Sequence, residues 1–196
     1  MDQQIIRSTA SLASWLQTPA GQYLAAWETA QFDRVVSDVF GFHGLQLGLS
    51  PLPALRNSRI RHCWVSENDV NAQAVDASAA LGFFVDSVAL PFKDQSLDLV
   101  VLPHTLEFET DPYGLLREVD RVLVGDGKLL VLGFALWSPW GLRAAGSRAG
   151  FPPGLRRLLS ERRLRDWLRL LGYEVGETRR YLYELPWGDP PAAGCR

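Results

Sequence analysis

Apolar residues recur along this chain with two spacings that alternate, one typical of strands and one typical of helices. The stretch SLDLVVLPH, residues 96–104, is almost continuously apolar, as expected of a parallel strand buried on both faces. The stretch SERRLRDWLRLLG, residues 160–172, repeats leucines at helical spacing between a capping Ser160 and a terminating Gly172. The same criteria predict strands at 44–49, 59–66, 83–87, 128–136 and 173–185, and helices at 8–17, 18–41, 69–82 and 111–125.

Two helices carry clear start signals. Thr18 followed by Pro19, and Asp111 followed by Pro112, place a capping side chain before a proline at the first helical position. The first of these helices is predicted to turn Leu24, Trp27, Val35 and Val39 inward and to end at Gly41. The second is predicted to end at Gly125 and to bury Leu115, Leu116, Val119, Val122 and Leu123.

The alternation of strand and helix from residue 44 onward predicts an α/β fold with a mainly parallel sheet flanked by helices. We expect one structural domain, in which residues 1–43 form N-terminal helices packed on a core of residues 44–185, followed by a tail at 186–196. In such folds ligands bind beyond the carboxyl ends of the strands. The segments that directly follow the strands are therefore the candidate functional loops.

Composition narrows the class of protein. The chain has 196 residues, of which 47% are hydrophobic and 21% charged, enough for one full-sized core. It holds no apolar run long enough to span a membrane and no segment typical of a signal peptide. Cys63 and Cys195 are far apart, which argues against a disulfide and against a metal site. We therefore expect a cytoplasmic protein that uses no metal.

Charge is distributed unevenly along the chain. The net charge is −2, which does not indicate a nucleic-acid partner. Residues 141–185 nevertheless hold ten arginines against five acidic residues, a local charge of +5 that leaves about −7 for the rest. This segment is either a solvated helix face or a surface for an acidic partner.

Polar and small residues follow four of the predicted strands. Gly48 follows the first, Glu67 the second, Asp86 and Ser87 the third, and His104 the fourth. Gly48 to Glu67 and Glu67 to Asp86 are both separations of 19 residues. An acidic side chain at the end of the second strand can accept hydrogen bonds from two ribose hydroxyls. An acidic or small polar residue after the third can meet an adenine amino group, so the pattern suits an adenosine.

Residues 83–134 carry the most specific pattern in the chain. The pattern consists of Asp86, Leu90, Pro91, Phe92, Asp98, Val100, Asp111, Pro112, Leu116, Glu118, Arg121, Val122 and Leu123, followed by Gly125 and Gly127. It resembles the class I S-adenosylmethionine-dependent methyltransferases of the methyltransferase 11 type, and the likeness extends more loosely over residues 44–172. That family shares an aspartate, then Leu-Pro-Phe, a turn, Phe-Asp-hydrophobic-Val, Asp-Pro, and Leu-x-Glu-hydrophobic-x-Arg-Val-Leu before a glycine pair.

The resemblance implies a Rossmann-like class I methyltransferase fold of seven strands in the order 3-2-1-4-5-7-6, with S-adenosylmethionine as cofactor. Carried over by position, Gly48 is the loop glycine, Glu67 the ribose acid and Asp86 the acid on the adenine side, with Ser87 beside it. His104 lies in the loop that faces the methyl group. It is the best candidate for a catalytic base, and Glu107 is a lesser one.

Two departures from the family pattern stand out. The glycine loop is degenerate: where the family has Asp-x-Gly-x-Gly-x-Gly, this chain reads Gln46, Leu47, Gly48, Leu49, Ser50, Pro51, and Pro51 has no N–H to donate. The family also ends in an antiparallel hairpin, whereas no seventh strand follows residue 185. Without that strand the fifth strand becomes an open edge. Either the chain is truncated, or another subunit covers this edge in a homo-oligomer.

These features leave three functions open. The first is a methyltransferase acting on an acceptor that the sequence does not identify. The second is a degenerate, non-catalytic member of the fold that serves as a binding or scaffold module. The third, a nicotinamide-dependent dehydrogenase, shares the layered architecture but not the pattern from Leu-Pro-Phe to Arg-Val-Leu. The effect of added cofactor on the melting temperature separates them. The methyl donor should stabilise the methyltransferase, NAD(P) should stabilise the dehydrogenase, and neither should stabilise the non-catalytic module.

Overall fold

The computed structural model describes residues 12–67, 81–84, 89–134, 155, 157–176 and 178–179. Within these residues the core is one sheet of five strands in the order β3-β2-β1-β4-β5, and every neighbouring pair is parallel. This confirms the predicted α/β fold with a parallel sheet. The strands are β1 His43–Leu47, β2 His62–Glu67, β3 Leu81–Phe84, β4 Leu97–Pro103 and β5 Leu123–Leu132.

The centre of the sheet is fixed by β1, which pairs with both β2 and β4. At the amino end of β1 the Asp98 carboxylate accepts hydrogen bonds from the backbone N–H groups of Phe42 at 2.8 Å and His43 at 2.9 Å. A Cβ at Gly41 would overlap with the Asp98 side chain, so a larger residue does not fit there. At the other end Leu47 lies opposite Ser66 of β2, which brings the carboxyl ends of the two strands together.

In the described part of the chain four helices flank the sheet, and residues 12–16 are also helical. Thr18, Asp111 and Ser160 cap three of the helices as predicted, accepting hydrogen bonds from Gly21 N at 3.2 Å, Gly114 N at 2.9 Å and Arg163 N at 3.3 Å. Within the described residues, no helix combines the length and the hydropathy that crossing a membrane requires. The helices are α1 Pro19–Val36, α2 Thr105–Phe108, α3 Pro112–Val122 and α4 Glu161–Leu170.

Among the described residues, two apolar clusters cover the two faces of the sheet. One joins Leu24, Phe32 and Val36 of α1 to Leu99 and Val101 of β4. The other packs α3 against β1 and β4 and includes all five residues predicted to be buried there: Leu115, Leu116, Val119, Val122 and Leu123. The predicted inward side chains of α4 are partly buried against this second cluster: Leu164, Trp167, Leu168 and Leu171.

The first helix differs from its prediction. It ends at Val36 rather than reaching Gly41, and Val39 lies beyond its end. Trp27 and Val35 are only partly buried. The fully buried stripe contains Leu24, Glu28, Thr29, Phe32 and Val36. The predicted stripe contained apolar residues only, whereas the buried stripe includes the polar Glu28 and Thr29.

Other boundaries also moved. The helix α3 ends at Val122 because the backbone carbonyls of Arg121 and Val122 accept hydrogen bonds from Gln95 and Ser96 before β4, and Leu123 then turns extended. Residues 173–176 and 178–179 belong to no strand, so the strand predicted at 173–185 is wrong for these residues. The N–H of Tyr173 bonds the Leu168 carbonyl at 2.9 Å and keeps the chain at the end of α4. Of the helix predicted at 69–82 only Leu81 and Gly82 are described, and both belong to β3, so the prediction is wrong for these two residues.

The pattern from Leu90 to Arg121 has a structural role in this fold. The Arg121 guanidinium donates to the carbonyl oxygens of Leu90 and Phe92, both at 3.1 Å. Glu118 accepts from Leu90 N at 2.8 Å and also pairs with Arg121. These contacts hold the turn before β4 against α3. At the far side of the sheet, β5 pairs with β4 alone among the described strands, and the predicted self-association through its edge stays a prediction.

Gln95 allows a test of backbone strain in this turn. Its φ is +51°, in the left-handed region that favours glycine, and its side chain is exposed. We expect Gln95→Gly to raise the free energy of unfolding by about 0.5–1 kcal/mol, because the relief of strain exceeds the added entropy of the unfolded chain. Urea denaturation measures this gain. Gln95→Ala keeps the Cβ and should give no gain; equal stabilisation by both variants would rule out the backbone explanation.

Candidate functional site

The turn after β1 lies at the carboxyl edge of the sheet, where ligands bind in parallel α/β folds. Gly48 has a φ of +77° and Leu49 a φ of +50°, so two successive residues adopt the left-handed conformation. Gly48 N donates to the Ser66 carbonyl of β2 at 2.9 Å, and the Thr105 hydroxyl donates to the Leu47 carbonyl at 2.6 Å. The turn after β1, the carboxyl end of β2 and the segment after β4 therefore meet at one place.

The Gln46 side chain shapes this turn. It is fully buried, and its amide nitrogen lies 3.1 Å from the carbonyl oxygen of Gly48, 3.2 Å from that of Leu49 and 2.9 Å from that of Leu52. Its amide oxygen accepts from Ala54 N at 3.1 Å. Leu49 and Leu52 are themselves buried in the core. One amide side chain thus holds the folded turn that glycines would otherwise permit.

Three charged residues from distant parts of the chain are buried together at the same edge. His104, directly after β4, is 2% exposed, and Glu28 of α1 and Glu107 of α2 are 4% and 2% exposed. We call these three residues the buried charge cluster. His104 Nε2 lies 2.9 Å from Glu28 Oε1, within hydrogen-bond distance. His104 Nδ1 lies 3.7 Å from Glu107 Oε1, too far for a hydrogen bond but close enough for an ion pair.

The residues after β5 complete the surroundings of the cluster. The backbone N–H of Phe134 donates to Glu107 Oε1, and the Phe134 ring stacks on the His104 ring with centroids 4.1 Å apart. The backbone N–H of His104 donates to the Leu132 carbonyl at 2.8 Å. His104 itself has a φ of +54°, which is uncommon for a residue with a side chain. Tertiary contacts from α1, α2 and β5 therefore determine where its ring lies.

The carboxylates decide the protonation of His104. Burial opposes the charged form and by itself would lower the pKa of His104. The negative charges of Glu28 and Glu107 outweigh burial, and they raise that pKa from 6.5 to about 10. At neutral pH the ring is therefore an imidazolium that has no lone pair to accept a proton.

Several buried polar atoms at this edge have no hydrogen-bond partner within the described part of the chain. They are Glu28 Oε2, Glu107 Oε2, His104 Nδ1 and, at the end of β2, Ser66 Oγ. Buried polar atoms without a partner are rare in folded proteins. A bound ligand that supplies the missing hydrogen bond is one explanation for them. Two of them are carboxylate oxygens, which suit a cationic group or a hydrogen-bond donor.

The structure brings some of the predicted site residues together. Gly48 and His104 lie at the carboxyl edge, and Thr105, next to His104, bonds the residue before Gly48. Glu67 is the last residue of β2, at the same edge. Asp86 and Ser87 lie outside the described residues. In the described part of the chain no group of three possible ligands could hold a metal ion.

Two features of this site were not predicted from the sequence. One is the presence of Glu28, and the other is the burial of the Gln46 side chain. A signal for Glu28 was present, because an acid that falls four residues after Leu24 and four before Phe32 occupies an apolar helical stripe. For Gln46 the signal was a polar amide within a buried strand. Neither pattern identifies the partners, because these depend on contacts formed only in the folded chain.

Known proteins share both the sequence pattern and the fold. Residues 50–131 match the model of a family described as "Methyltransferase domain". The uncharacterized protein YafS of Escherichia coli is 36% identical over 193 residues, which cover 92% of this chain and 76% of YafS.

Solved structures show the same architecture. A chain in the complex between the Trm112 methyltransferase activator and a methyltransferase of Haloferax volcanii superimposes with a TM-score of 0.67 at 21% identity, covering 85% of this chain and 77% of the other. A SAM-dependent methyltransferase of Thermotoga maritima superimposes with a TM-score of 0.60 at 21% identity, covering 79% of this chain and 77% of the other. At these identities the two structures establish a shared fold.

Proposed function

The chain belongs to the class I methyltransferase family, and on that premise we propose that it transfers a methyl group from S-adenosylmethionine to an acceptor still to be identified. The observation that carries the proposal is the carboxyl edge of the sheet. There the glycine turn after β1, the end of β2 and the segment after β4 meet in the sheet order β3-β2-β1-β4-β5.

The residues at this edge fit the cofactor. When bound, S-adenosylmethionine supplies a methyl carbon attached to a positively charged sulfonium, and transfer of that methyl leaves a neutral thioether. Among the described residues the carboxylate oxygens Glu28 Oε2 and Glu107 Oε2 have no hydrogen-bond partner, and their charge is of the sign that a sulfonium requires. Gly48 leaves the turn open: of the described atoms, a Cβ there would meet only the Thr105 hydroxyl, at 3.9 Å. Ser66 Oγ, which also has no partner in the described part of the chain, offers a polar contact at the end of β2.

We assign roles within this site from chain position. Gly48 allows close approach of the ligand to the backbone after β1. Glu67 receives the ribose hydroxyls at the end of β2, and Asp86 with Ser87 meets the adenine. We assign His104 to the site as a positively charged residue, because its ring is an imidazolium at neutral pH and is paired with Glu28. We place the activity in the cytoplasm, as the two widely separated cysteines predict.

Calorimetric titration of the purified protein with S-adenosylmethionine and S-adenosylhomocysteine tests the proposal. We expect both to bind at micromolar concentration. Asp86→Ala should weaken binding of both about tenfold or more, since it removes a hydrogen bond to a charged group.

The matched control is Asp126→Ala, which removes an exposed acid from β5 and should leave both affinities unchanged. A folded protein that binds neither ligand at millimolar concentration would contradict the proposal. If NAD(P), and not the methyl donor, raised the melting temperature, the proposed methyltransferase activity would be wrong and a dehydrogenase activity would be the better assignment. Equal affinities of Asp86→Ala and the unaltered protein would remove Asp86 from the site.

A further inference from the structure

We propose that the buried charge cluster makes the site prefer the sulfonium methyl donor to the neutral thioether product by electrostatic attraction. This inference rests on the proposed function and adds to it a specificity role for Glu28 and Glu107. It concerns discrimination between two ligands that differ in one methyl group and one positive charge. It does not require that either carboxylate touch the cofactor.

The buried charge cluster holds one more acidic than basic side chain. Two carboxylates, Glu28 and Glu107, face a single imidazolium, His104, so the cluster carries a net charge of −1. Among the described residues, no cation approaches the cluster as a fourth member. Arg157 contacts Glu107 only through its backbone N–H, at 3.3 Å. Glu109, two residues after Glu107 in the chain, is also buried, but it is an acid and has an interaction of its own.

The position of the cluster directs this charge toward the ligand. His104 and Glu107 directly follow β4, and Phe134, which bonds Glu107, follows β5. The Thr105 hydroxyl between them reaches Leu47, one residue before Gly48. The net negative charge therefore lies behind the carboxyl edge at which the cofactor turn opens.

Burial makes the attraction effective over distance. The side chains of the three residues are at most 5% exposed, so water screens them little. At an effective dielectric constant of about 20, a unit charge about 10 Å from the sulfonium changes its affinity by roughly tenfold, and stronger screening reduces this to about threefold. The thioether has no charge and gains nothing. The ratio of the two dissociation constants therefore measures the effect.

Glu107→Gln is the main test variant. The amide oxygen can still accept from Phe134 N, and Glu28 at 2.9 Å keeps His104 protonated, so the net charge of the cluster changes from −1 to zero. Titrations with both ligands at pH 7.5 give the ratio of the dissociation constant of S-adenosylhomocysteine to that of S-adenosylmethionine. We expect this ratio to fall about three- to tenfold. The control Asp38→Asn removes an exposed charge beyond the end of α1 and should leave it unchanged.

Glu28→Gln provides a second, independent readout. Without its closest partner, His104 should titrate nearer its ordinary pKa. The variant cluster then carries zero net charge when the ring is protonated and −1 when it is neutral. The ratio should therefore rise from pH 5.5 to pH 8 in this variant, with the midpoint that NMR reports for the His104 ring, and stay constant in the unaltered protein. Both ligands share the same amino acid tail, so its titration cancels in the ratio.

The outcomes separate the two proposals. If the unaltered protein binds neither ligand, the proposed function fails and this inference fails with it. If both ligands bind and the ratio is unchanged in Glu107→Gln, only the electrostatic inference is overturned. If Glu107→Gln does not fold, a pH-independent ratio in Glu28→Gln overturns it. A lower ratio in Glu107→Gln, or a pH-dependent one in Glu28→Gln, supports it.

Discussion

Replacing Gln46 by glutamate should cost about 3–5 kcal/mol of the free energy of unfolding at neutral pH. The amide nitrogen that now lies near the carbonyl oxygens of Gly48, Leu49 and Leu52 would become a carboxylate oxygen. Four electronegative groups would then face one another in a place from which water is excluded. Urea denaturation followed by circular dichroism measures the loss.

The pH dependence of the stability loss in Gln46→Glu gives a sharper test than the magnitude of the loss. Burial among carbonyl oxygens should raise the pKa of the introduced carboxyl above that of the unfolded chain, near 4.3. Stability relative to the unaltered protein is then highest below pH 4.3 and falls as pH rises through the higher folded value. The matched control is Gln22→Glu on the exposed face of α1, which should change stability by less than about 0.5 kcal/mol. Equal losses in the two variants would contradict the role assigned to Gln46.

Removing Glu28 is expected to be comparably severe. Glu28→Leu should lower the free energy of unfolding by about 3–5 kcal/mol near neutral pH, because it leaves the buried His104 without the carboxylate 2.9 Å away. Asp33→Leu on the same helix breaks an exposed ion pair with Arg56 and should cost less than about 1 kcal/mol. Denaturant titration of the two variants compares a buried pair with an exposed one.

The ion pair also predicts how stability depends on pH. The pKa of His104 is raised by folding, from 6.5 to about 10. Its stabilising contribution is therefore fully present below pH 6.5 and is lost as pH rises toward 10. In Glu28→Leu this decline should be much weaker, because the largest cause of the raised pKa is gone. Parallel slopes for the two proteins between pH 6.5 and 10 would contradict the assignment.

Local signals predicted the framework of the fold. The apolar run 96–104 marked β4, and the capping residues Thr18, Asp111 and Ser160 marked three helix starts to within one residue. These signals depend on neighbours within a few positions of sequence, which is why they can be recognised there. The resemblance over 83–134 also marked contacts that hold the turn before β4, through Glu118 and Arg121.

The site was only half predictable. The rule that ligand loops follow the strands predicted that Gly48 and His104 lie at the carboxyl edge, where the structure has them, while their roles stay predictions. The rule did not predict their surroundings. The histidine lies 76 residues from Glu28, and the sequence carries no mark of that pairing beyond one acid in an apolar stripe. The protonation state of His104 depends on two carboxylates, one on α1 and one on α2. The sequence alone therefore does not show whether the His104 ring is a neutral base or a cation.

The pairing of Glu28 with His104 also bears on how the protein forms during synthesis. At roughly 5–20 residues per second, the 76 residues between them delay the partner of Glu28 by about 4–15 s after the helix leaves the ribosome. In that interval an acid in the middle of the apolar stripe keeps the exposed helix soluble and discourages contact with neighbouring chains. The ion pair then forms only when β4 is in place. The same charge that rigidifies the finished molecule therefore protects the unfinished one.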